Sequence, residues 1–272
     1  MDSNETKNKI FKVVTVALPI LLVAFLAITI AIALDLASEL DSQPVIATGA
    51  DEGGQQEADP PADEVEPPEE QEPVEDFFSE GLSFTSLGDG TCALDGIGEC
   101  KDSYIIVPKE SPDGDTVVAI SANAFKNSTA IKGIEFPDTL TEIGAYAFYG
   151  SYIKSVVIGA EIEEIGSYAF SGCKSLTGIA VDEDNPYYSA ASGVLYNKDG
   201  SVLISYPAGK TDNFCIISSD VEEIANMAFY KCSSIKKVTY HGTEAQWSLI
   251  EIGAGNDVIE EALLYCAGNQ GK

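Results

Sequence analysis

The sequence predicts a chain of three parts: an N-terminal transmembrane helix, a disordered acidic linker, and a solenoid whose 22–23-residue repeats each hold one β-strand and a short helical turn. Three observations predict this architecture. A run of 22 uncharged residues lies near the N-terminus, a segment rich in acidic residues and proline follows it, and phenylalanines recur at nearly constant spacing in the remainder. The 272 residues therefore divide into segments suited to three different surroundings.

The uncharged run, residues 13–34, has the length of a membrane span. At about 1.5 Å per residue a helix of this length covers roughly 33 Å, enough for the hydrocarbon core of a bilayer. Lys7, Lys9 and Lys12 precede the run, and acidic residues follow it. Because cytoplasmic flanks carry the excess of positive charge, residues 1–12 are expected in the cytoplasm and everything after the span outside.

A cleaved signal peptide is the alternative reading of this segment. Ala31-Ile32-Ala33 offers a small-x-small cleavage site, which would release a secreted protein. The uncharged run is, however, longer than the roughly 7–15 apolar residues of a signal-peptide core. We therefore favour an uncleaved single-pass anchor.

Residues 35–76 have the composition of a disordered tether. Fifteen of them are Asp or Glu, six are Pro, and none is Lys or Arg. Such a segment cannot bury enough apolar surface to offset its chain entropy, and its like charges repel one another. Calcium buffering or contact with a cationic partner is the functional alternative to a solvated, extended spacer.

The charge of the whole chain excludes several classes of function. It has 44 acidic residues, 15 lysines, no arginine and one histidine, for a formal net charge of −29. Phosphate backbones repel such a chain, so nucleic acid is not an expected partner. Without arginine no bidentate recognition of phosphate or carboxylate occurs, and without a second histidine most catalytic zinc sites are excluded.

Self-comparison of residues 77–272 reveals a repeat. Four segments of the type IGxxAF place Phe125, Phe148, Phe170 and Phe229 at intervals of 23, 22 and 59 residues, the last being one unit plus about 36 inserted residues. A unit this short cannot bury its own apolar face, so its coils must stack. The alternating strand pattern predicts an inward-facing core of Ile131, Ile134, Phe136, Ile153, Val156, Ile158, Leu176, Ile179, Val181, Ile235, Val238 and Tyr240.

These motifs resemble the BspA-type leucine-rich repeat family, whose units read roughly LxxIxLPxxLxxIGxxAFxxC. IEFPDTLTEIGAYAF and IGAEIEEIGSYAFSGCKSL carry nearly the whole pattern, and similarity extends over roughly residues 92–266. Residues 182–210 look like an insertion common in the family, and residues 240–257 look like its terminal segment. The resemblance implies an extracytoplasmic leucine-rich-repeat domain at 77–272 with an insertion at about 182–217, and a non-catalytic role in adhesion.

The chain offers few groups for chemistry. Of six cysteines, Cys92 and Cys100 are close enough in sequence, around a glycine-rich turn, to form a disulfide outside the cytoplasm. Cys173 and Cys232 share one repeat position and are expected to be buried thiols. No CxxC or histidine partner indicates a metal, and no spacing pairs His241 with Cys215 as a nucleophile, so we expect no catalytic residue and no cofactor.

An acidic turn opens the predicted insertion. Residues 182–185 (Asp-Glu-Asp-Asn) could supply oxygen ligands to calcium, but they lack the glycine and distal glutamate of an EF-hand loop. A turn that ends at Asn185-Pro186 is the preferred interpretation.

Binding is the remaining class of function. The outward strand positions are small and mixed, with no aromatic anchor, and the candidates among them are Glu135, Val157, Lys237 and Thr239. The insertion adds Tyr187 and Tyr188, and the terminal segment adds Trp247, although these aromatics could instead cover the coil behind them.

We therefore expect a non-catalytic, membrane-anchored surface module that binds an extracellular or envelope protein or a glycan. The alternative is a scaffold that holds another envelope protein at the membrane, with a cationic partner favoured by the charge. A surface hydrolase is the third and least favoured reading.

Overall fold

The computed structural model describes residues 78–269. The predicted span 13–34 and the predicted linker 35–76 lie outside these residues. Within 78–269, no helix has both the length and the apolar character that crossing a bilayer requires.

The described residues form short strands joined by turns. The strands are β1 (Ser83–Ser86), β2 (Thr91–Gly96), β3 (Tyr104–Ile106), β4 (Thr116–Ile120), β5 (Gly133–Glu135), β6 (Glu142–Ile143), β7 (Ser155–Ile158), β8 (Glu164–Ile165), β9 (Gly178–Val181), β10 (Tyr188–Ala191), β11 (Val194–Asn197), β12 (Val202–Ser205), β13 (Phe214–Ile217), β14 (Glu223–Ile224), β15 (Lys237–Tyr240), β16 (Glu251–Ile252) and β17 (Leu263–Cys266). Two one-turn helices, α1 (Glu244–Trp247) and α2 (Asp257–Glu260), and a 3₁₀ turn at Ala267–Asn269 complete the described part of the chain.

The strands and turns build a stack of successive coils, each with three sides. The first side holds β3, β5, β7, β9, β13, β15 and β17, and the second side holds β4, β6, β8, β12, β14 and β16. Taken as β3/β4, β5/β6, β7/β8, β9/β12, β13/β14 and β15/β16, these strands define the first to sixth coils. The first side consists of the parallel sheets β3-β5, β7-β9 and β13-β15-β17, and on the second side β4-β6-β8 and β12-β14-β16 also pair in parallel. The antiparallel hairpin β1–β2 covers the first coil. The predicted repeat solenoid is therefore confirmed for this part of the chain.

The core lies where the strand alternation predicts it. Ile134, Val156, Ile179 and Val238 are at most 5% exposed, and Phe136 is partly buried against the same cluster. Parallel pairing places equivalent residues in register, as in the Val156–Ile179 pair of β7 and β9. One repeated apolar position thus becomes a continuous apolar column.

The third side consists of the turns that follow the second-side strands, and it differs from the prediction. We expected a short helical turn at IGxxAF, but left-handed residues interrupt each turn. Tyr146 and Tyr168 have φ of 58° and 63°, and Gly150 and Gly172 have φ of 67° and 70°. A right-handed helix needs negative φ throughout, so the segment forms successive tight turns instead.

The phenylalanines of these turns form a stack along the solenoid. The ring centroids of Phe125 and Phe148 are 5.3 Å apart, and those of Phe148 and Phe170 are 5.5 Å apart, with interplanar angles of 10° and 6°. In the fourth coil Tyr206 takes this position, 4.9 Å from Phe229, and its amide donates to the Ala228 carbonyl as the Phe148 amide donates to that of Ala169.

The predicted insertion is shorter than expected. Residues 182–217 include β12 and β13, which belong to the solenoid, so the inserted element is the hairpin β10–β11 with its flanking turns. β11 pairs antiparallel with β12, and on the second side the sheet β1-β2-β4-β6-β8 ends before the sheet β10-β11-β12-β14-β16 begins. The buried residues accordingly form two clusters, which meet at the hairpin.

Candidate binding surface on the first side

The N-terminal half of the first side exposes isolated side chains, and Tyr104 on β3, 54% exposed, is the one large aromatic group on its described strands. Glu135 on β5 and Val157 on β7 are exposed, Val157 to 61%. Gly133, also on β5, is buried because the ring of Tyr104 covers it; a Cβ at this glycine would lie 2.6 Å from ring carbons. Glu135 and Val157 therefore share no continuous apolar patch.

The C-terminal half of the first side is different. Lys237 and Thr239 on β15 lie between two strands that present large apolar side chains, and the pairing places residues of β13 and β17 directly beside them. We call this surface the C-terminal patch, and its members are Phe214, Ile216, Lys237, Thr239, Leu263 and Tyr265. The four flanking apolar members are 46%, 52%, 76% and 40% exposed, respectively.

The patch combines apolar area with positive charge. A shallow depression of about 400 Å³ lies on it, and Lys236 also lines this depression. The Lys237 ammonium nitrogen is 4.9 Å from the centroid of the Tyr265 ring, a favourable cation–π distance. In a domain that is otherwise acidic, this surface is locally apolar and cationic.

Sequence reasoning found the middle strand of the patch and missed its neighbours. Phe214 and Ile216 lie in the segment that we interpreted as an insertion, and Leu263 and Tyr265 follow the last recognised repeat. The signal that could have found them is the strand-like alternation of FCII and LLYC, read without requiring a following IGxxAF motif. The expectation of a first side without aromatic anchors is therefore wrong for its C-terminal half.

Of the three aromatic candidates outside the first side, Tyr188 and Trp247 have structural contacts. Tyr188 is half-buried, and its hydroxyl accepts a hydrogen bond of 2.8 Å from the Ile165 amide. Trp247 packs edge-on against Tyr240 at 5.4 Å, covering the end of the second core cluster. Tyr187 is 46% exposed, beside Tyr188 on the hairpin.

All six cysteines are free and buried, so the structure does not contain the Cys92–Cys100 disulfide suggested by the sequence. Burial raises the pKa of the Cys173 thiol, which donates to the Phe148 carbonyl at 2.9 Å. Burial also raises the pKa of Cys215 to about 12, which keeps it a thiol and not a nucleophilic thiolate. Across residues 78–269, no group of three or more His, Cys, Asp or Glu side chains is placed to hold a metal ion.

Comparisons with known proteins agree on the repeat. The family model for the BspA type leucine-rich repeat region matches residues 106–198 and 210–253, in six copies. No curated protein matches the chain at a significant level.

Three solved structures are similar over part of their length. The pneumococcal vaccine antigen PcpA is 26% identical over 56% of this chain and 36% of that chain, with a TM-score of 0.49. A leucine-rich cell surface protein from Faecalibacterium prausnitzii is 18% identical over 65% and 72%, with a TM-score of 0.40. A leucine-rich repeat protein from Eubacterium ventriosum is 19% identical over 70% and 71%, also with a TM-score of 0.40. The chain thus spans about a third of the pneumococcal antigen.

Proposed function

The chain belongs to the BspA-type leucine-rich repeat family, and from this membership we propose that it is a non-catalytic binding module whose C-terminal patch contacts a partner protein. The observation that carries the proposal is the set of four large, exposed apolar side chains on strands β13 and β17, which flank β15 on its two sides. Contiguous apolar patches are uncommon on soluble surfaces and mark interaction sites.

The chemistry of the patch defines the partner. Aromatic and aliphatic side chains that lose water on association supply most of the energy of an interface, and Phe214, Ile216 and Tyr265 are of this kind. Lys236 and Lys237 border them, so a complementary partner presents an apolar projection beside a carboxylate. The net negative charge of the rest of the domain repels acidic proteins that lack such an apolar projection.

A crosslinking experiment tests this role of the patch. A photoreactive amino acid is placed at Ile216 in the full-length chain, with a matched variant at Val157, which is somewhat more exposed (61% against 52%) on the other half of the first side. The chains are then applied to intact neighbouring or host cells. We expect protein adducts from position 216 and few from position 157. Equal yields from both positions would argue against the patch.

Substitution of a residue in the C-terminal patch should produce a corresponding loss of binding. In solid-phase binding to matrix proteins, glycans and cell surfaces, Ile216→Asp should weaken binding at least tenfold, because a carboxylate replaces an apolar anchor of the patch. Val157→Asp should change binding little. Failure of the unmodified chain across the whole panel would contradict adhesion.

Surface display is the second element of the proposal. The run 13–34 and the acidic segment 35–76 support a single-pass anchor with a tether that holds the repeat domain outside the membrane. Alkaline carbonate extraction and N-terminal mass measurement test it, with retention in the membrane and an intact N-terminus expected. A mature chain that begins after Ala33 would instead indicate a secreted protein.

Pulldown from the native membrane separates adhesion from the scaffold alternative. A stoichiometric envelope partner that survives moderate salt would favour a scaffold, and its absence together with binding to foreign surfaces would favour adhesion.

A further inference from the structure

A cleft interrupts the turn side between the third and fourth coils. It encloses about 290 Å³, and among the residues that line it are Tyr168, Phe170, Tyr188, Ser205, Glu223 and Asn226. This volume is just below the roughly 300 Å³ at which ligand pockets of proteins begin. The cleft is separate from the C-terminal patch, which lies on the first side.

The cleft exists because the fourth coil has a shortened turn. In the second coil the stacked ring, Phe148, comes five residues after the second-side residue Ile143. In the fourth coil Leu203 is the register partner of Ile224, yet the stacked ring, Tyr206, follows only three residues later. Two residues that would fill the turn side in a full-length coil are therefore missing from this coil.

The shortening leaves amides of the third coil without acceptors. In the second coil the Tyr146 and Phe148 amides donate to the Ser167 and Ala169 carbonyls, at 3.0 and 2.9 Å. The equivalent amides of the third coil, those of Tyr168 and Phe170, have no hydrogen-bond acceptor within residues 78–269. In the second coil the matching acceptors, the Ser167 and Ala169 carbonyls, are also two residues apart and lie in a tight turn, so a segment that pairs with the third coil must present two carbonyls in the same way.

A buried side chain supplies a second, independent observation. Ser205 is 3% exposed and lines the cleft, and its hydroxyl is the one buried side-chain polar group of residues 78–269 without a hydrogen-bond partner. A buried unpartnered hydroxyl costs about 1–3 kcal/mol, so native structures rarely keep one without a use. At the equivalent place before the stacked ring, other coils have Ala147, Ala169 and Ala228.

We infer that this cleft binds a short peptide segment of a partner protein in a turn conformation. Its main-chain carbonyls accept hydrogen bonds from the Tyr168 and Phe170 amides, and the Ser205 hydroxyl bonds to the same segment. The peptide supplies the contacts that the turn of the next coil supplies elsewhere in the solenoid. Small side chains suit the cleft, because alanine stands directly before the stacked ring in complete coils. Glu223 at its rim favours a flanking lysine.

The test uses the full-length chain and a fluorescein-labelled, end-capped peptide, Lys-Ala-Ala-Ala-Lys. Fluorescence anisotropy measures binding, and hydrogen exchange by mass spectrometry compares residues 165–172 with residues 143–150, the equivalent segment of the second coil. We expect saturable binding and slower exchange in the first segment only. No protection of residues 165–172 at millimolar peptide would overturn the inference.

Matched variants sharpen the test. Ser205→Ala should weaken the peptide at least threefold without loss of stability, because alanine is the residue that complete coils use. Glu223→Lys should weaken it at least fivefold, whereas Glu142→Lys, at the equivalent place on β6, should not. Ile216→Asp on the C-terminal patch should leave peptide binding unchanged, which keeps this site distinct from the proposed function. A peptide site would be contradicted if Ser205→Ala and Glu223→Lys both left the affinity for the peptide unaltered. It would also be contradicted if chitotriose, but not the peptide, protected residues 165–172 from exchange.

Discussion

The glycine of the IGxxAF motif is required by the coil before it and not by its own backbone conformation. A Cβ at Gly166 would lie 2.3 Å from the Ala145 nitrogen, and one at Gly144 would lie 2.5 Å from the Ala122 nitrogen. Neither glycine has a positive φ. Ala225 stands at the same position after the fourth coil, where the shortened turn leaves room for a side chain.

We therefore predict that Gly166→Ala destabilises the protein strongly. The added methyl group meets main-chain atoms that cannot rotate away, so the loss should exceed about 2 kcal/mol, within the range for overpacking. Gly88→Ala is the control, because Gly88 has a φ of 90° but open space around it, and only the backbone cost of about 1–2 kcal/mol applies. Urea unfolding of both full-length variants measures the difference. Equal losses would contradict the close-contact explanation.

Asn185 holds together the turn at residues 182–185, for which the sequence allowed calcium binding as an alternative. Its side-chain nitrogen donates to the Gly159 and Ile162 carbonyls at 2.7 and 2.8 Å, and its side-chain oxygen accepts from the Tyr187 and Tyr188 amides, both at 2.8 Å. The residue is fully buried. All of its polar capacity is therefore used to fix the hairpin to the third coil.

Asn185→Asp should destabilise the protein by more than about 2 kcal/mol, because a carboxylate cannot donate to two buried carbonyls. Asp184→Asn, the same exchange in reverse at an exposed neighbour, should change the stability by less than about 0.5 kcal/mol. Thermal unfolding of the two variants makes the comparison. A mild effect of Asn185→Asp would show that the turn does not depend on this amide.

At the scale of elements, the aromatic stack ties one turn to the next. Phe148 is fully buried between two parallel rings, whereas Tyr206 in the fourth coil carries a hydroxyl that no other member of the stack has. Phe148→Ala should cost about 3–5 kcal/mol, typical of a large cavity in a core. Tyr206→Phe should cost less than about 1 kcal/mol, since the ring remains. Chemical denaturation measures both, and a large loss in Tyr206→Phe would mean that the hydroxyl has a role beyond stacking.

The elements that sequence could predict are those whose side chains the packing dictates. The alternation of Ile134, Val156, Ile179 and Val238 follows from burial on one face of each strand, so it is visible in the repeat. The turns were mispredicted as helical, because backbone φ at residues such as Tyr146 is set by the hydrogen bonds of the neighbouring coil and not by local propensity. Outward residues are not constrained by packing, so the repeat carries no information about them.

The fourth coil shows a further limit of prediction. It lacks the IGxxAF motif, and Leu203 to Tyr206 replaces it with a shorter turn that sequence comparison did not align. Strand β13 was consequently assigned to an insertion, so Phe214 and Ile216 were not among the predicted binding residues. The cleft depends on a difference in turn length between two coils, which becomes visible only when Leu203 is placed in register with Ile224.

For the whole molecule, buried thiols and phenols predict instability at alkaline pH. Burial raises the pKa of Cys215 and Cys232 from 9.0 to about 12, and burial likewise raises that of Tyr196 from 10.0 to about 12. A group whose pKa is higher in the folded state stabilises the protein fully below its unfolded pKa. This stabilisation is lost as the pH rises towards the folded pKa, here between about 9 and 12.

The free energy of unfolding should therefore be nearly constant from pH 7 to 8.5 and fall steadily above pH 9. Urea midpoints at pH 7, 9 and 10.5 measure it. Cys232→Ala should reduce the slope above pH 9 by about one proton, or about 1.4 kcal/mol per pH unit. A flat profile, or an unchanged slope in the variant, would contradict this account.

The shortened turn of the fourth coil also has a mechanical consequence. Tension that enters at the N-terminal end of the solenoid and leaves through a partner on the C-terminal patch must cross this coil. The turn-side ladder of hydrogen bonds does not continue there, so the load passes through the parallel pairing of β7 with β9 and through the Tyr188 hydroxyl on Ile165. A bound molecule under shear should therefore yield first between its third and fourth coils, while the coils on either side stay folded.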